Sequence, residues 1–384
     1  MKKPLITILA FTAMNFVLSM IASVFGGILD KVAASLNITV ASAGLLNTLY
    51  SYGAAFGGPF TLVIFRKINR VKLLKIMLLI AILTALILVT VKSYGVLLVI
   101  RFIMGVAVNS YGVLSLSLVL SITGKERQGR TMAFLVAGNS LAMVVGVPLT
   151  RALSSLLGWR EIFLILDAMM AAALIYFHFS LSDGSPDSSE VDLKNELNYV
   201  KDGRVLLIIA FTMLMFLGYG GFYTYITPYL IELFPSFESA MSIILVVFGI
   251  ASFIGNWIGG IVLDKIGYAK SMLIGAVLQF AMVLLMIAFQ PLKWGTLIFT
   301  TLMVLCAWFT GIHLNTGIAQ VTENRSRFVL SLNSSCIFLG NAFGSSLSAV
   351  VITLKGIQNI LFITLATTIL IILIQLISVK KYTF

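Results

Sequence analysis

"GGIVLDKIGYAK" (259–270) closes a long apolar run with an acid and a base side by side, Asp264 and Lys265, followed by Gly267 and a further base, Lys270. "VIFRKINRVK" (63–72) looks like a worn copy. With Arg66 set on Asp264, 198 residues away, Gly57 falls on Gly255, Lys67 on Lys265, Ile68 on Ile266 and Lys72 on Lys270. Two versions of one charged boundary, half a chain apart and each ending an apolar stretch, predict an internally repeated membrane protein in which the same link between helices occurs twice.

Composition agrees. The 384 residues are 60% hydrophobic and 10% charged, with a mean hydropathy of +1.07, which lies outside the range of soluble domains. Apolar stretches long enough to cross a hydrocarbon core of roughly 30 Å number twelve. The first, from Pro4 past Ala22, exceeds an ordinary signal-peptide core and has no small-residue cleavage pattern after it, so it is read as a span. Bases gather between spans two and three (Arg66, Lys67, Arg70, Lys72, Lys75), four and five, eight and nine, ten and eleven, and at both ends. The positive-inside rule then places both termini in the cytoplasm. One segment breaks the apolar pattern: "SDGSPDSSEVDLKNELNYVKDGR" (182–204) holds six of the fourteen acids with Gly, Pro and Ser, the composition of a solvated linker. The expectation is an all-α integral membrane protein of twelve transmembrane helices in two pseudo-symmetric six-helix bundles, 1–181 and 205–384, joined by an acidic cytoplasmic linker, 182–204.

Several function classes drop out. The net charge of +12 is spread over short loops, so it reads as a topology signal that favours anionic lipid in the bilayer rather than nucleic acid. Cys306 and Cys336 lie inside predicted helices with no metal spacing. "SITGKERQGR" (121–130) lacks the phosphate-loop spacing, so ATP is not expected to drive the protein, and no cofactor is called for. A membrane-embedded enzyme needs clustered catalytic groups, which two dispersed histidines do not supply.

The motifs resemble those of the major facilitator superfamily over essentially the whole chain. Its loop signature is matched by Gly260, Leu263, Asp264, Lys265 and Gly267; in the first half Lys67, Arg70 and Leu74 fit, whereas Leu62, Arg66 and Asn69 replace the expected Gly, Asp and Gly. "LLVIRFIMG" supplies the fourth-helix Arg and Gly as Arg101 and Gly105, and "GNSLAMVVGVP" with "GWREIF" resembles the drug:proton antiporter motif through Gly138, Gly146, Pro148, Gly158, Trp159 and Arg160. "GGIL" (26–29) and "YITPYL" (225–230) fit the bacterial branch that includes purine nucleoside, arabinose and sugar exporters. The resemblance implies alternating access, a cytoplasmic gate built on Arg66, Lys67, Arg70, Gly260, Asp264, Lys265 and Gly267, and exchange of substrate for protons. Because Arg66 stands where an acid is expected, that gate is expected to be asymmetric. Asp264 and Lys265 would otherwise be only a solvated helix end.

The candidate site residues follow from depth. Asn15 and Ser19 in span one, Asn139 in span five, Tyr219, Tyr223 and Tyr225 in span seven, His313 and Asn315 in span ten and Asn341 in span eleven predict a mostly uncharged cavity with aromatic walls. Each alone serves equally as glue between helices. Arg101 is an intramembrane charge, a functional position by default, and Asn109 lies within about 80° of it around the helix; both are assigned to the substrate cavity, the resemblance implies a role for Arg101 in substrate or proton handling, and snorkelling to the interface is the alternative. For proton coupling, Ala22 and Ser23 stand where relatives carry a first-helix carboxylate. Asp167 is the most deeply placed acid, either a proton carrier or the partner of Arg151, which shares its depth. Asp30, beside Lys31, is the second candidate and is expected to be solvated. Small-residue faces at Gly53 and Gly57, Gly255 and Gly259, and Gly340 and Gly344 predict close helix approach, and Pro148 after Gly146 a bend. The chain is thus expected to be a monomeric exporter of a small organic molecule in the inner (plasma) membrane of a bacterium. A proton-independent facilitator, an importer of the same fold, and a transporter-like sensor remain as alternatives.

Overall fold

The computed structural model describes residues 4–65, 68–123, 128–181, 199–323 and 326–381, and the regular elements among them are helical. In the first half these are α1 (Pro4–Leu36), α2 (Val40–Ile64), α3 (Arg70–Thr90), α4 (Tyr94–Ile122), α5 (Gln128–Leu141), a π-helical turn (Ala142–Gly146), α6 (Val147–Leu153) and α7 (Trp159–Ser180). The second half contains α8 (Gly203–Met215), a second π turn (Phe216–Gly220), α9 (Gly221–Thr224), α10 (Ile226–Leu233), α11 (Met241–Ile266), α12 (Tyr268–Ala288), α13 (Lys293–Val321), α14 (Arg327–Lys355) and α15 (Ile360–Lys381). Ten helices among the described residues are long and apolar enough to cross a membrane. Arg66, Lys67 and most of the acidic linker lie outside the described residues. The linker's last residues are already structural, because Asp202 caps α8 by accepting from the Arg204 N–H (2.8 Å) and pairing with its guanidinium (2.7 Å). That side-chain hydrogen bond from Arg204 holds the Asp202 carboxyl below the usual carboxylate range.

The chain divides into two compact units, residues 1–39 with 49–190 and residues 40–48 with 191–384. The first nine residues of α2 therefore pack with the second unit.

In lipid the hydrophobic effect does not drive helices together, so association rests on close packing and interhelical hydrogen bonds. Glycine supplies the approach in the same two places in each half. A Cβ on Gly53 or Gly57 of α2 would overlap the backbone of Phe102 or Val106 in α4, and one on Gly255 or Gly259 of α11 would overlap the carbonyls of Leu305 or Phe309 in α13. Likewise Gly138 of α5 sits on the Thr12 carbonyl of α1, and Gly340 of α14 on the Met213 carbonyl of α8. These packing partners correct the repeat register read from charge. Gly53 corresponds to Gly255 and Gly57 to Gly259, 202 residues on, which also sets Gly58 on Gly260. The register of 198 holds only beyond the link, where α3 begins at Arg70 and α12 at Tyr268. The difference lies in the connection: residues 65–69 join α2 to α3, whereas Gly267 alone joins α11 to α12.

That single residue adopts φ 78°, ψ 165°, a conformation essentially confined to glycine. The motif glycine is therefore demanded by the turn itself. In the longer first-half link Asn69 caps α3 by accepting from the N–H groups of Val71 and Lys72.

The first helix of each half is broken at matching points, Ile28 (φ −133°, ψ 21°) and Tyr225 (φ −108°, ψ 11°). Breaks inside a membrane release carbonyls that need partners. Arg151 donates to the Gly27 carbonyl (3.4 Å) and pairs with Asp30 (2.5 Å), and Thr364 donates to the Gly218 carbonyl within the second π turn (3.1 Å). Pro148 acts through the first π turn. Its ring excludes the ordinary bond to Val144, four residues back, and the extra residue of the π turn absorbs the mismatch.

Gly105 and Gly112 share α4 but not an environment: a Cβ on Gly105 would overlap the Tyr50 carbonyl, while Gly112 has nothing within 4 Å. Gly105→Ala should therefore cost about 1–3 kcal/mol by overpacking and Gly112→Ala little, read as thermal unfolding of the two purified variants in detergent. Gly267→Ala should cost a similar about 1–3 kcal/mol through strain at positive φ.

Candidate functional site

In the first unit Arg101 is fully buried. Its guanidinium carbon lies 4.5 Å from the ring centres of both Phe25 (α1) and Tyr50 (α2), and Nη1 donates to the Ile21 carbonyl at 3.3 Å. It does not snorkel. A desolvated guanidinium between two aromatic faces gains cation–π attraction on both sides. Gly105, one turn on, lets α4 settle on the Tyr50 backbone and so brings that ring over Arg101. The Arg–x3–Gly motif is one packing device. Asn109 belongs to the same seam, its amide donating to the Ala54 carbonyl (2.6 Å).

The polar pair accessible on this unit is Ser19–Asn139. Ser19 donates to Asn139 Oδ1 at 2.9 Å, next to the Gly138–Thr12 contact of α5 and α1, and Asn139 is exposed. Asn15 is half-buried one turn back along α1. An accessible amide in the middle of a span pays heavily against lipid.

The acids rearrange the expectation. Arg151 pairs with Asp30 and not with Asp167, so Asp30 is braced rather than solvated. The reason is the break at Ile28, which turns the outer end of α1 toward α6 and puts Asp30 and the Gly27 carbonyl on the same guanidinium. Asp167 is 5% exposed on α7, and its Oδ1 has no hydrogen-bond partner among the described residues.

In the second unit Trp308 Nε1 of α13 donates to the Tyr219 hydroxyl (3.2 Å), and Tyr219 lies against Tyr223 with ring centres 5.5 Å apart. Asn341 of α14 sits over Gly220, whose missing Cβ leaves room for its Oδ1. Asn315, exposed on α13, accepts from Asn333 of α14 at 2.9 Å. Asn333 itself is fully buried, and its own Oδ1 has no partner among the described residues. As with Arg101 and Asn109 in the seam of the first unit, two residues here that the sequence reading assigned to a cavity are placed elsewhere. Tyr225 is fully buried where α9 breaks, its hydroxyl donating to the carbonyls of Ala41 (3.4 Å) and Ser345 (3.3 Å). His313 is fully buried and bonded to Ser271 of α12 and to the Thr310 carbonyl. Sequence reasoning missed Trp308 and Asn333. Each is a polar-tipped side chain within an apolar helix, the signal that selected the others.

At the ends of the helices, Asp264 and Lys265 are exposed in the last turn of α11, and Gly260 makes only a loose approach to Ile312. Arg70 donates to Ser117 of α4 (2.5 Å). Gly146 packs on Met20. Among the described residues no group of three or more His, Cys, Asp or Glu is placed to hold a metal.

Comparison with known proteins extends these observations. The family model described as Major Facilitator Superfamily matches residues 11–319. An uncharacterized MFS-type transporter of Bacillus subtilis, YbcL, is 28% identical over 88% of this chain and 87% of its own. A probable sugar efflux transporter of Helicobacter acinonychis is 25% identical over 94% and 92%. Among solved structures, the nucleoside transporter NupG superposes with a TM-score of 0.74 at 16% identity, covering 98% of this chain and 99% of that one. The xylose transporter XylE from E. coli does so with a TM-score of 0.74 at 14% identity, covering 100% and 98%.

Lysine keeps the charge at position 101 but loses the flat face. Arg101→Lys should destabilise the first unit by about 1–2 kcal/mol, seen as a lower unfolding temperature in detergent, and Tyr50→Leu in the same background should add little, because the two act on one contact.

Proposed function

Since the chain belongs to the Major Facilitator Superfamily and is a multi-pass membrane transporter, we propose that it exports a small, uncharged polar solute, sugar- or nucleoside-like, in exchange for protons. In this reading it works by alternating access across a bacterial plasma membrane, as a monomer of twelve spans with both termini cytoplasmic. The ten apolar helices are completed by α2, of 25 residues, and by the stretch α5–π turn–α6. The bases of the connections between spans two and three and between eight and nine support the orientation.

One observation carries the substrate class: the accessible polar groups at mid-span are amides, hydroxyls and aromatic rings. Ser19 with Asn139, Tyr223 with Trp308, and Asn315 stay accessible within their units and offer neutral donors, acceptors and flat apolar faces, with Tyr219 and Asn333 buried behind Trp308 and Asn315 as their hydrogen-bond partners. Such faces stack on the C–H side of a sugar ring or on a base, while amides bond its hydroxyls. Arg101 and Arg151 are engaged by aromatic rings and by Asp30, so neither is assigned to an anionic substrate. The printed names of relatives, a sugar efflux transporter and a nucleoside transporter, point the same way.

Proton exchange is assigned to Asp167. An ionised carboxylate is costly to bury without a cation, and Arg151, the cation at its depth, is committed to Asp30. A second reading, facilitated diffusion, draws on the same pair: with Asp30 braced and Glu161 exposed in the first turn of α7, Asp167 is the one buried acid left for coupling in the first unit's described spans.

Proteoliposomes containing a pH-sensitive dye, challenged with a panel of sugars, nucleosides and cationic drugs, test both. Substrate-dependent proton movement should occur in the parent protein and vanish in Asp167→Asn, with substrate counterflow retained. Counterflow without proton movement in the parent would establish the facilitator instead.

A further inference from the structure

A groove of about 490 Å³ runs between α3 and α7 on the outer side of the first unit. One end carries Lys72, Lys75 and His178; the rest is walled by apolar side chains, among them Leu79 (45% exposed), Ile175 (60%) and Phe179 (83%). No acid lines it. Lys75 donates to the Leu181 carbonyl just past α7 (3.1 Å), which pins the α3 terminus to the α7 terminus and forms the groove's floor at that end. Lys72, one turn nearer the start of α3, is exposed at the rim.

From this arrangement we infer that the α3–α7 groove is a binding site for one anionic phospholipid of the cytoplasmic leaflet. The leaflet rests on the orientation proposed above; the lipid chemistry does not. The cations sit together at the helix ends, where a bilayer places its phosphates. From Lys72 to Leu79 the groove extends about 10 Å along α3 at 1.5 Å per residue, about two-thirds of an acyl chain's path through one leaflet of a roughly 30 Å core. A soluble anion would use the lysines and leave the trough empty, and a zwitterionic lipid would fill the trough but bring an ammonium to a cationic rim. An anionic lipid satisfies both ends. Each lysine near a membrane surface favours anionic lipid by about fivefold.

The test is native mass spectrometry of the full chain in detergent, titrated with phosphatidylglycerol or phosphatidylcholine. One tightly held phosphatidylglycerol is expected, preferred over phosphatidylcholine by about fivefold or more. Lys72→Gln, which leaves the Lys75–Leu181 bond intact, should remove most of that preference. Ile175→Trp, which fills the trough from an exposed position, should remove the tight lipid altogether. Lys270→Gln, an exposed base at the same place in the second half, should leave it. Equal retention of the two lipids, a loss in Lys270→Gln as large as in Lys72→Gln, or retention in Ile175→Trp would each overturn the site. Labelling of Lys72→Cys by an impermeant maleimide in inverted vesicles reports the leaflet separately, so a wrong orientation and an absent site give different results.

Discussion

Backbone-to-backbone contact at glycine is the constraint on which the rest of this structure depends. Within a bilayer, apolar side chains gain nothing by leaving lipid for one another, so helices hold together where they come close enough for dense packing and for hydrogen bonds to carbonyls. Gly53 and Gly57 against α4, Gly255 and Gly259 against α13, Gly138 against α1 and Gly340 against α8 provide that closeness in both repeats. Everything polar in the interior is arranged around those seams. Asn109 reaches the Ala54 carbonyl and Ser110 the Gly57 carbonyl because α2 and α4 nearly touch. Arg101 is stacked between Phe25 and Tyr50 for the same reason.

The second constraint is the satisfaction of backbone groups wherever a helix departs from regularity. The breaks at Ile28 and Tyr225 and the two π turns would be costly in lipid if their carbonyls were orphaned. Arg151 reaches the Gly27 carbonyl beside the first break and Thr364 the Gly218 carbonyl of the second π turn, each from a neighbouring helix, while Thr150 of α6 donates to the Gly146 carbonyl that ends the first π turn. This division of labour bears on function. An arginine occupied by a carbonyl and Asp30 cannot also neutralise Asp167, and the isolation of that carboxyl is a by-product of how the first helix is bent.

Much of the architecture was legible in the chain. Apolar length, the distribution of bases and the Gly-x3-Gly faces need only local composition, because a bilayer reads helices by hydropathy and length. The repeat was legible too, but its register was not. The charge pattern at the link aligned Arg66 with Asp264, while the packing aligns Gly57 with Gly259, and the four-residue difference falls in the connection, which is Gly267 alone between α11 and α12 but spans 65–69 between α2 and α3. Among site residues, depth along a helix drew attention to Ser19 and Asn139, which are accessible, yet depth cannot tell an accessible face from a seam. Tyr225 and His313 share that depth and are fully buried.

By itself the sequence determined that this is a membrane-spanning, internally repeated protein, since period, composition and charge bias are properties of the chain alone. Its motifs determined the family to which it belongs. Tertiary structure alone decided the partners: Arg151 with Asp30 and not Asp167, Trp308 with Tyr219, and Asn333 with Asn315. The physical reason is that pairing depends on the rotation of each helix about its axis and on where it bends. Those are fixed by glycine contacts between segments far apart in the chain, which no local pattern records.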